Sequence, residues 1–155
     1  MTSTGLTRSV LRGAAAGAAG TTALNAATYL DMVLRARPAS STPQETVEKG
    51  TDALGVEVPG EGEDKDNRTS ALGALTGLAT GVAVGAAYGL VRGLGLRPPA
   101  LVGAGLTAGV ALVGANGPMA ALGVSDPRTW STSDWVADLV PHVAYGLVTA
   151  FSYPD

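Results

Sequence analysis

Three residues near the carboxyl end of the chain have the types and the spacing for proton chemistry. Asp138, His142 and Tyr145 stand at positions i, i+4 and i+7, so a helix would carry them on one face. An aspartate one turn before a histidine can accept a hydrogen bond from the ring and fix its tautomer. The spacing predicts a proton-responsive site in which His142 titrates near neutrality.

Two polar residues in the first apolar segment, Asn25 and Asp31, are further candidates for this site. The first helix would leave a membrane where the last one enters it, so Asp31 and Asp138 are expected near the same surface. The alternative is that these side chains only hold helices together. Interhelical hydrogen bonds in membranes contribute about 0.6–2 kcal/mol each.

The composition excludes several other kinds of site. With no cysteine and one histidine, the chain lacks the usual zinc ligands and any cysteine nucleophile. No serine stands in a nucleophile motif, and there is no phosphate-binding loop that ends in Gly-Lys. We therefore predict no catalytic residue, no metal and no cofactor, and a protein that is not an enzyme.

The elements that would position these residues are long and apolar. Charged side chains make up 15% of the 155 residues, against about 25% in a typical soluble domain. A membrane span needs about 20 mainly apolar residues. The pattern predicts a single all-α membrane domain over residues 1–155, a polytopic bundle of four Gly/Ala-rich transmembrane helices at 6–34, 70–91, 99–124 and 133–152.

The first of these segments has a second interpretation. Arg8 and Arg12 precede an alanine-rich stretch, as in a secretory signal, and Leu24-Asn25-Ala26 offers a weak cleavage site. The helical pattern nevertheless continues to Leu34, which favours an uncleaved first span.

A polar, acidic loop is predicted over residues 35–69. Thr42, Pro43 and Glu45 are typical of a helix start, with Thr42 as the cap. We expect a short amphipathic helix to about Leu54, resting on the membrane surface. The acidic residues that follow are predicted to form a mobile linker, since their spacing does not suit a calcium loop.

Glycine recurs at every fourth position of the second segment. Glycine costs a soluble helix about 1 kcal/mol against alanine, but in lipid it lets helix backbones approach closely. Each step of four residues drifts about 40° around the helix, so this helix should contact at least two neighbours. A biased genome would explain abundant glycine but not this register. We predict glycine-zipper packing through Gly73, Gly77, Gly81, Gly85, Gly89 and Gly93, and through Gly13, Gly17, Gly105 and Gly109.

The arginines give a prediction of orientation. Arg8, Arg12, Arg92 and Arg97 lie close to span ends on the side that holds both termini. Six basic residues lie on the other side, but in an acidic stretch. The short loop from Arg92 to Arg97 favours both termini in the cytoplasm.

Short motifs stand in the last third of the chain and just after the first span: Pro118–Gly123, Asp126–Trp130, Asp134-Trp135, Pro141–Gly146, Arg37-Pro38 and Thr42–Glu45. In these motifs the chain resembles the YagU-like family of uncharacterised small inner-membrane proteins. The resemblance implies about four hydrophobic segments, with an H-x-x-Y-G element in the last, and a link of some members with acid survival.

These observations together predict a multi-pass protein of the bacterial inner membrane. We expect a structural, accessory or stress-related role, as a subunit of a larger membrane complex. The partners would be the lipid bilayer and other membrane proteins or further copies of the chain. Nucleic acid is not expected, because no basic stripe exists. The alternative function is a small transporter or proton- or ion-conducting protein that uses Asp138, His142 and Tyr145; a membrane enzyme ranks third.

Overall fold

The fold is all-helical, as predicted. The computed structural model describes residues 3–153 and contains no strand within them. A 3₁₀ turn, Pro127–Thr129, joins the last two helices. The α-helices are α1 (Ser3–Arg35), α2 (Thr42–Ala53), α3 (Glu63–Gly93), α4 (Ala100–Ala121) and α5 (Thr132–Ser152).

The four long helices form a bundle in which spatial neighbours run antiparallel. α1 packs between α3 and α5, and α4 packs against α5 and α3. Near one end the Tyr153 hydroxyl donates to the Ser9 carbonyl, 3.4 Å away, while near the other Arg35 donates to the Ser133 hydroxyl at 2.7 Å. The first and last described residues therefore lie at the same end of the bundle. We call this end, which carries Arg8, Arg12, Arg92 and Arg97, the arginine end. The opposite end, which carries residues 36–62 and 122–131, is the loop end.

Two of the helices, α3 and α4, are long and apolar enough to cross a membrane. α1 and α5 have 33 and 21 residues but do not pass the same test of apolarity and charge. α1 carries Arg8 and Arg12 near its start and Asn25 further along, and α5 carries Asp134 and Asp138. Length and composition thus support two membrane-spanning helices, α3 and α4.

α2 closes the loop end of the bundle. It contacts the start of α3 through Pro43, which lies against Gly73, and the end of α4 through Lys49, whose ammonium donates to the Gly123 carbonyl at 2.8 Å. The cap position is Ser41 and not the predicted Thr42. The Ser41 hydroxyl donates to the Glu45 carboxylate at 2.6 Å. α2 is thus packed on protein along the side that bears Pro43 and Lys49.

Two boundaries differ from the sequence prediction. α3 begins at Glu63, so the second half of the segment predicted as a mobile linker forms the first two turns of this helix. Glu63, Asp64 and Asp66 stand in the first turn, where carboxylates interact favourably with the helix dipole. α4 continues through Asn116-Gly117-Pro118 and ends at Ala121, three residues before the predicted end of the third segment at 124.

The turn between α4 and α5 carries an exposed local ion pair. The Arg128 guanidinium donates to both carboxylate oxygens of Asp126, with its Nε 2.9 Å from Oδ1 and its terminal nitrogen 2.8 Å from Oδ2. These hydrogen bonds lower the pKa of Asp126 below its ordinary value. Because both side chains are open to solvent, the pair contributes little to stability.

Candidate functional site

Asn116, Asp138 and His142 form a polar cluster where α4 meets α5. The Asn116 amide donates to the Asp138 carboxylate with a nitrogen–oxygen distance of 2.7 Å. The Nδ1 atom of His142 lies 2.7 Å from the backbone carbonyl of Asp138 and 3.4 Å from its carboxylate. A carbonyl oxygen can only accept, so Nδ1 carries a proton, and in the neutral ring Nε2 is the acceptor.

The cluster is largely withdrawn from the surface of the bundle. Asn116 and His142 expose 9% and 8% of their area. The Asn116 amide oxygen is buried and accepts no hydrogen bond within residues 3–153. A carboxylate beside an imidazole in such a place can hold or exchange a proton. No group of three residues that could hold a metal ion occurs in the described part of the chain.

Tyr145 shares the helical face of Asp138 and His142 but is bonded elsewhere. Its side chain is 1% exposed, and its hydroxyl donates to the Gly81 carbonyl on α3 at 2.6 Å. Because α3 lies diagonally opposite α5, Tyr145 spans the middle of the bundle. The structure therefore divides the predicted triad into a polar pair and a tyrosine that links helices.

Asp31 and Asn25 do not join the cluster. The Asp31 carboxylate pairs with Arg37 and, at 3.5 Å, with Arg35, both close to it in the chain. These two arginines neutralise the charge of Asp31 at the end of α1, so Asp31 is not a partner of His142. Asn25 lies half-buried on α1.

Asn116 is the member of the cluster that the sequence analysis did not select. The available signal was a lone amide side chain inside an otherwise apolar segment, since polar groups in such segments usually face a partner. Only the packing of α4 on α5 shows that this partner is Asp138.

Part of the predicted glycine row lies in the contact between α1 and α3. A Cβ atom added to Gly17 would lie 2.5 Å from the Gly81 carbonyl oxygen, and one added to Gly85 would lie 2.5 Å from the Gly17 Cα. Real Cβ atoms essentially never come closer than 3.0 Å to a neighbour. Gly13 and Gly89 face each other in the same way one turn along. The backbones of α1 and α3 thus touch along this row.

The two ends of the row contact side chains and backbone of other segments. Gly93 faces Ser9 and Leu6 on α1, and Gly73 faces Pro43 of α2. The α3 glycines therefore meet two different helices, as the drift of the row predicts.

Gly77, Gly105 and Gly109 differ from the prediction. A Cβ atom at any of the three would meet nothing within 4 Å. The drift of the α3 row turns Gly77 away from both neighbours. On α4 the packed face is carried by other small residues: Gly103 lies against Tyr88, and Ala104 against Gly146 of α5. Gly105 and Gly109 open onto the outside of the bundle.

Comparison of the chain with protein-family models, with curated proteins and with solved structures gave no match. The resemblance to the YagU-like family stays a prediction. The geometry and chemistry of the bundle therefore carry the functional conclusion.

Proposed function

We propose that this chain is an integral membrane protein whose four long helices cross the bilayer and whose role is structural or accessory, not enzymatic. The observation that supports this most is the distribution of side chains, which is inverted relative to a soluble domain. No leucine is buried among residues 3–153. The buried residues other than glycine and proline are Ala16, Thr21, Val58, Thr69, Tyr88, Ala104, Thr107, Ala111, Asn116, His142, Tyr145, Thr149 and Ala150.

The large apolar side chains face outwards. Soluble monomers rarely expose apolar patches larger than a few hundred Å², and the core helix of a soluble protein is mostly buried. The most apolar windows of α3 and α4 are each only 22% buried. The exposed residues include Leu72, Leu75, Leu78 and Leu90 on α3, Leu101, Val102, Leu106, Val110 and Val113 on α4, and Val136, Leu139, Val140, Val143, Leu147 and Phe151 on α5.

The packing argues that α1 and α5 cross together with α3 and α4. α1 touches the α3 backbone from Gly13 to Gly17, so the two helices share the same depth. α5 packs on α4 both at Gly146 and, about two turns away, at Asp138. The polar residues that weaken the apolarity of α5 are turned inwards: Asp138 meets Asn116, and His142 is buried.

The charges support a location and an orientation. Four arginines stand at the arginine end, and the acidic loop stands at the other. Positive charge near span ends favours the cytoplasmic side. We propose a bacterial inner-membrane protein with both termini in the cytoplasm. The open notches at Gly77, Gly105 and Gly109 suit close approach of another membrane helix, from a partner protein or a second copy.

Extraction and solubility test the membrane assignment. We expect the protein to stay in the membrane fraction through high-salt and alkaline washes and to be released by detergent. Diluted out of detergent, it should aggregate, because its outward leucines and valines would face water. Size-exclusion chromatography and circular dichroism check this, and a folded monomer in plain buffer would contradict the proposal. Co-purification in mild detergent tests the accessory role.

The second candidate function is proton conduction, which the Asn116–Asp138–His142 cluster favours. If it holds, His142→Ala should reduce proton flux through proteoliposomes to the level of protein-free vesicles, because the imidazole that would carry the proton is lost. Val143→Ala is the control, since Val143 is its neighbour on the outward side of α5 and 50% exposed. Negligible flux through the unaltered protein, or equal flux after His142→Ala, would remove this candidate.

A further inference from the structure

We infer that the arginine end binds the anionic headgroups of phospholipids, with Arg8 and the cleft beside it as the main contact. This rests on the proposed membrane location. Arg8, Arg12, Arg92 and Arg97 all lie at this end. The twelve acidic residues within residues 3–153 all lie toward the loop end. Within residues 3–153, the arginine end is therefore purely cationic.

Arg92 is held in place, Arg8 and Arg97 are exposed, and Arg12 is half-buried. The Arg92 guanidinium lies 4.9 Å from the centre of the Tyr153 ring and 5.7 Å from that of Tyr88, whose hydroxyl it also contacts at 3.2 Å. Arg8, Arg12 and Arg97 form no hydrogen bond or ion pair within residues 3–153. Their charges are thus available to an anion outside the protein. Tyr153, which Arg92 contacts, is of a residue type that is enriched at the membrane–water boundary.

A shallow, wide-open cleft lies on the surface of α1 beside Arg8, lined by Thr4, Thr7, Arg8 and Leu11. These residues stand at i, i+3, i+4 and i+7 and share one helical face. From Thr4 to Leu11 the helix advances about 10 Å. The sequence of groups toward the bilayer centre is hydroxyl, guanidinium and then an exposed leucine.

This order of groups matches a phospholipid. A phosphodiester monoanion would lie against Arg8 with the threonines around it, and the start of an acyl chain would lie along Leu11, which is 65% exposed. Guanidinium groups donate paired hydrogen bonds to phosphate oxygens. Arg12, one turn further along α1, adds a second positive charge at the headgroup level.

Retention of lipid by the purified protein tests the inference. The protein is reconstituted in nanodiscs of phosphatidylcholine with roughly one-third phosphatidylglycerol, extracted in mild detergent, and its bound lipids are counted by native mass spectrometry. We expect selective retention of phosphatidylglycerol. Each arginine near an anionic surface is worth about a five-fold change in binding. Arg8→Gln with Arg12→Gln should therefore lower the retained phosphatidylglycerol about 25-fold and leave phosphatidylcholine unchanged.

The matched control is Arg68→Gln with Arg128→Gln, which removes two arginines from the loop end. It should leave retention unchanged. Circular dichroism shows whether each variant is folded, and Arg97→Gln, in an exposed connection, gives a second reading with a smaller loss. Added inorganic phosphate should not displace the lipid, because phosphate lacks the chain that contacts Leu11.

Three results would overturn the inference: equal retention of both lipids, an unchanged lipid count in the Arg8 and Arg12 variant, or displacement by inorganic phosphate. Each of these leaves the membrane assignment intact. A protein that is monomeric and folded in plain buffer would instead remove the proposed function, so the two failures are distinguishable.

Discussion

Gly85→Ala is expected to separate α1 from α3 and to destabilise the bundle severely. The new Cβ would lie 2.5 Å from the Cα of Gly17 and 2.6 Å from its backbone nitrogen. These are backbone atoms, which cannot turn aside as a flexible side chain can. Overpacking of an interior costs about 1–3 kcal/mol where side chains can adjust. We expect a loss of at least about 3 kcal/mol here, a large part of the total stability of most domains.

Gly77→Ala is the matched control, because Gly77 is two turns earlier on the same helix. A Cβ there meets nothing within 4 Å. Alanine is favoured over glycine in a helix by up to about 1 kcal/mol, so this variant should be as stable as the unaltered protein or slightly more so. Unfolding in mixed micelles, followed by circular dichroism, measures both. Equal stability of the two variants would contradict the α1–α3 contact.

The glycine register shows how far the sequence determines this packing. Spacing is a local property, so the row on α3 could be predicted, and Gly81, Gly85 and Gly89 do lie against α1 or the tyrosine that bridges to it. Rotation of a helix about its axis is a property of the whole bundle. Small residues occur on several sides of α4, and the spacing of Gly105 and Gly109 does not show which side faces α5.

The polar cluster likewise combines a contact that the sequence predicts with one that only the tertiary structure shows. Asp138 and His142 are four residues apart, so their contact follows from helix geometry alone. The partner of Asp138 on α4, Asn116, is a tertiary contact that no local pattern encodes. Asp31 was expected near Asp138 from topology, but arginines four and six residues away in the chain pair with it first. The partners of Asp31 are thus local arginines and not residues of α5.

Tyr145 shows what the tertiary arrangement adds to a residue first chosen for its chemistry. Its ring packs against α3, where a Cβ on Gly81 would be 3.4 Å from the ring atom Cε2. It also fills the space beside Gly20 of α1, where a Cβ would lie 2.9 Å from Cδ2. The Tyr145 side chain of α5 therefore contacts both α1 and α3, and a glycine on each of these helices leaves room for its ring.

Tyr145→Ala is therefore expected to leave a cavity at the centre of the bundle and to cost about 3–5 kcal/mol, as removal of a buried aromatic ring does. Tyr145→Phe keeps the ring and loses only the hydrogen bond to the Gly81 carbonyl, so about 1 kcal/mol should be lost. Tyr29→Ala is the control, since Tyr29 is 61% exposed and its loss opens no cavity. The same micelle unfolding assay ranks the three. If the phenylalanine and alanine variants lost equal stability, the hydrogen bond to the Gly81 carbonyl and not the ring would hold the bundle, and the cavity would not be the cause of the loss.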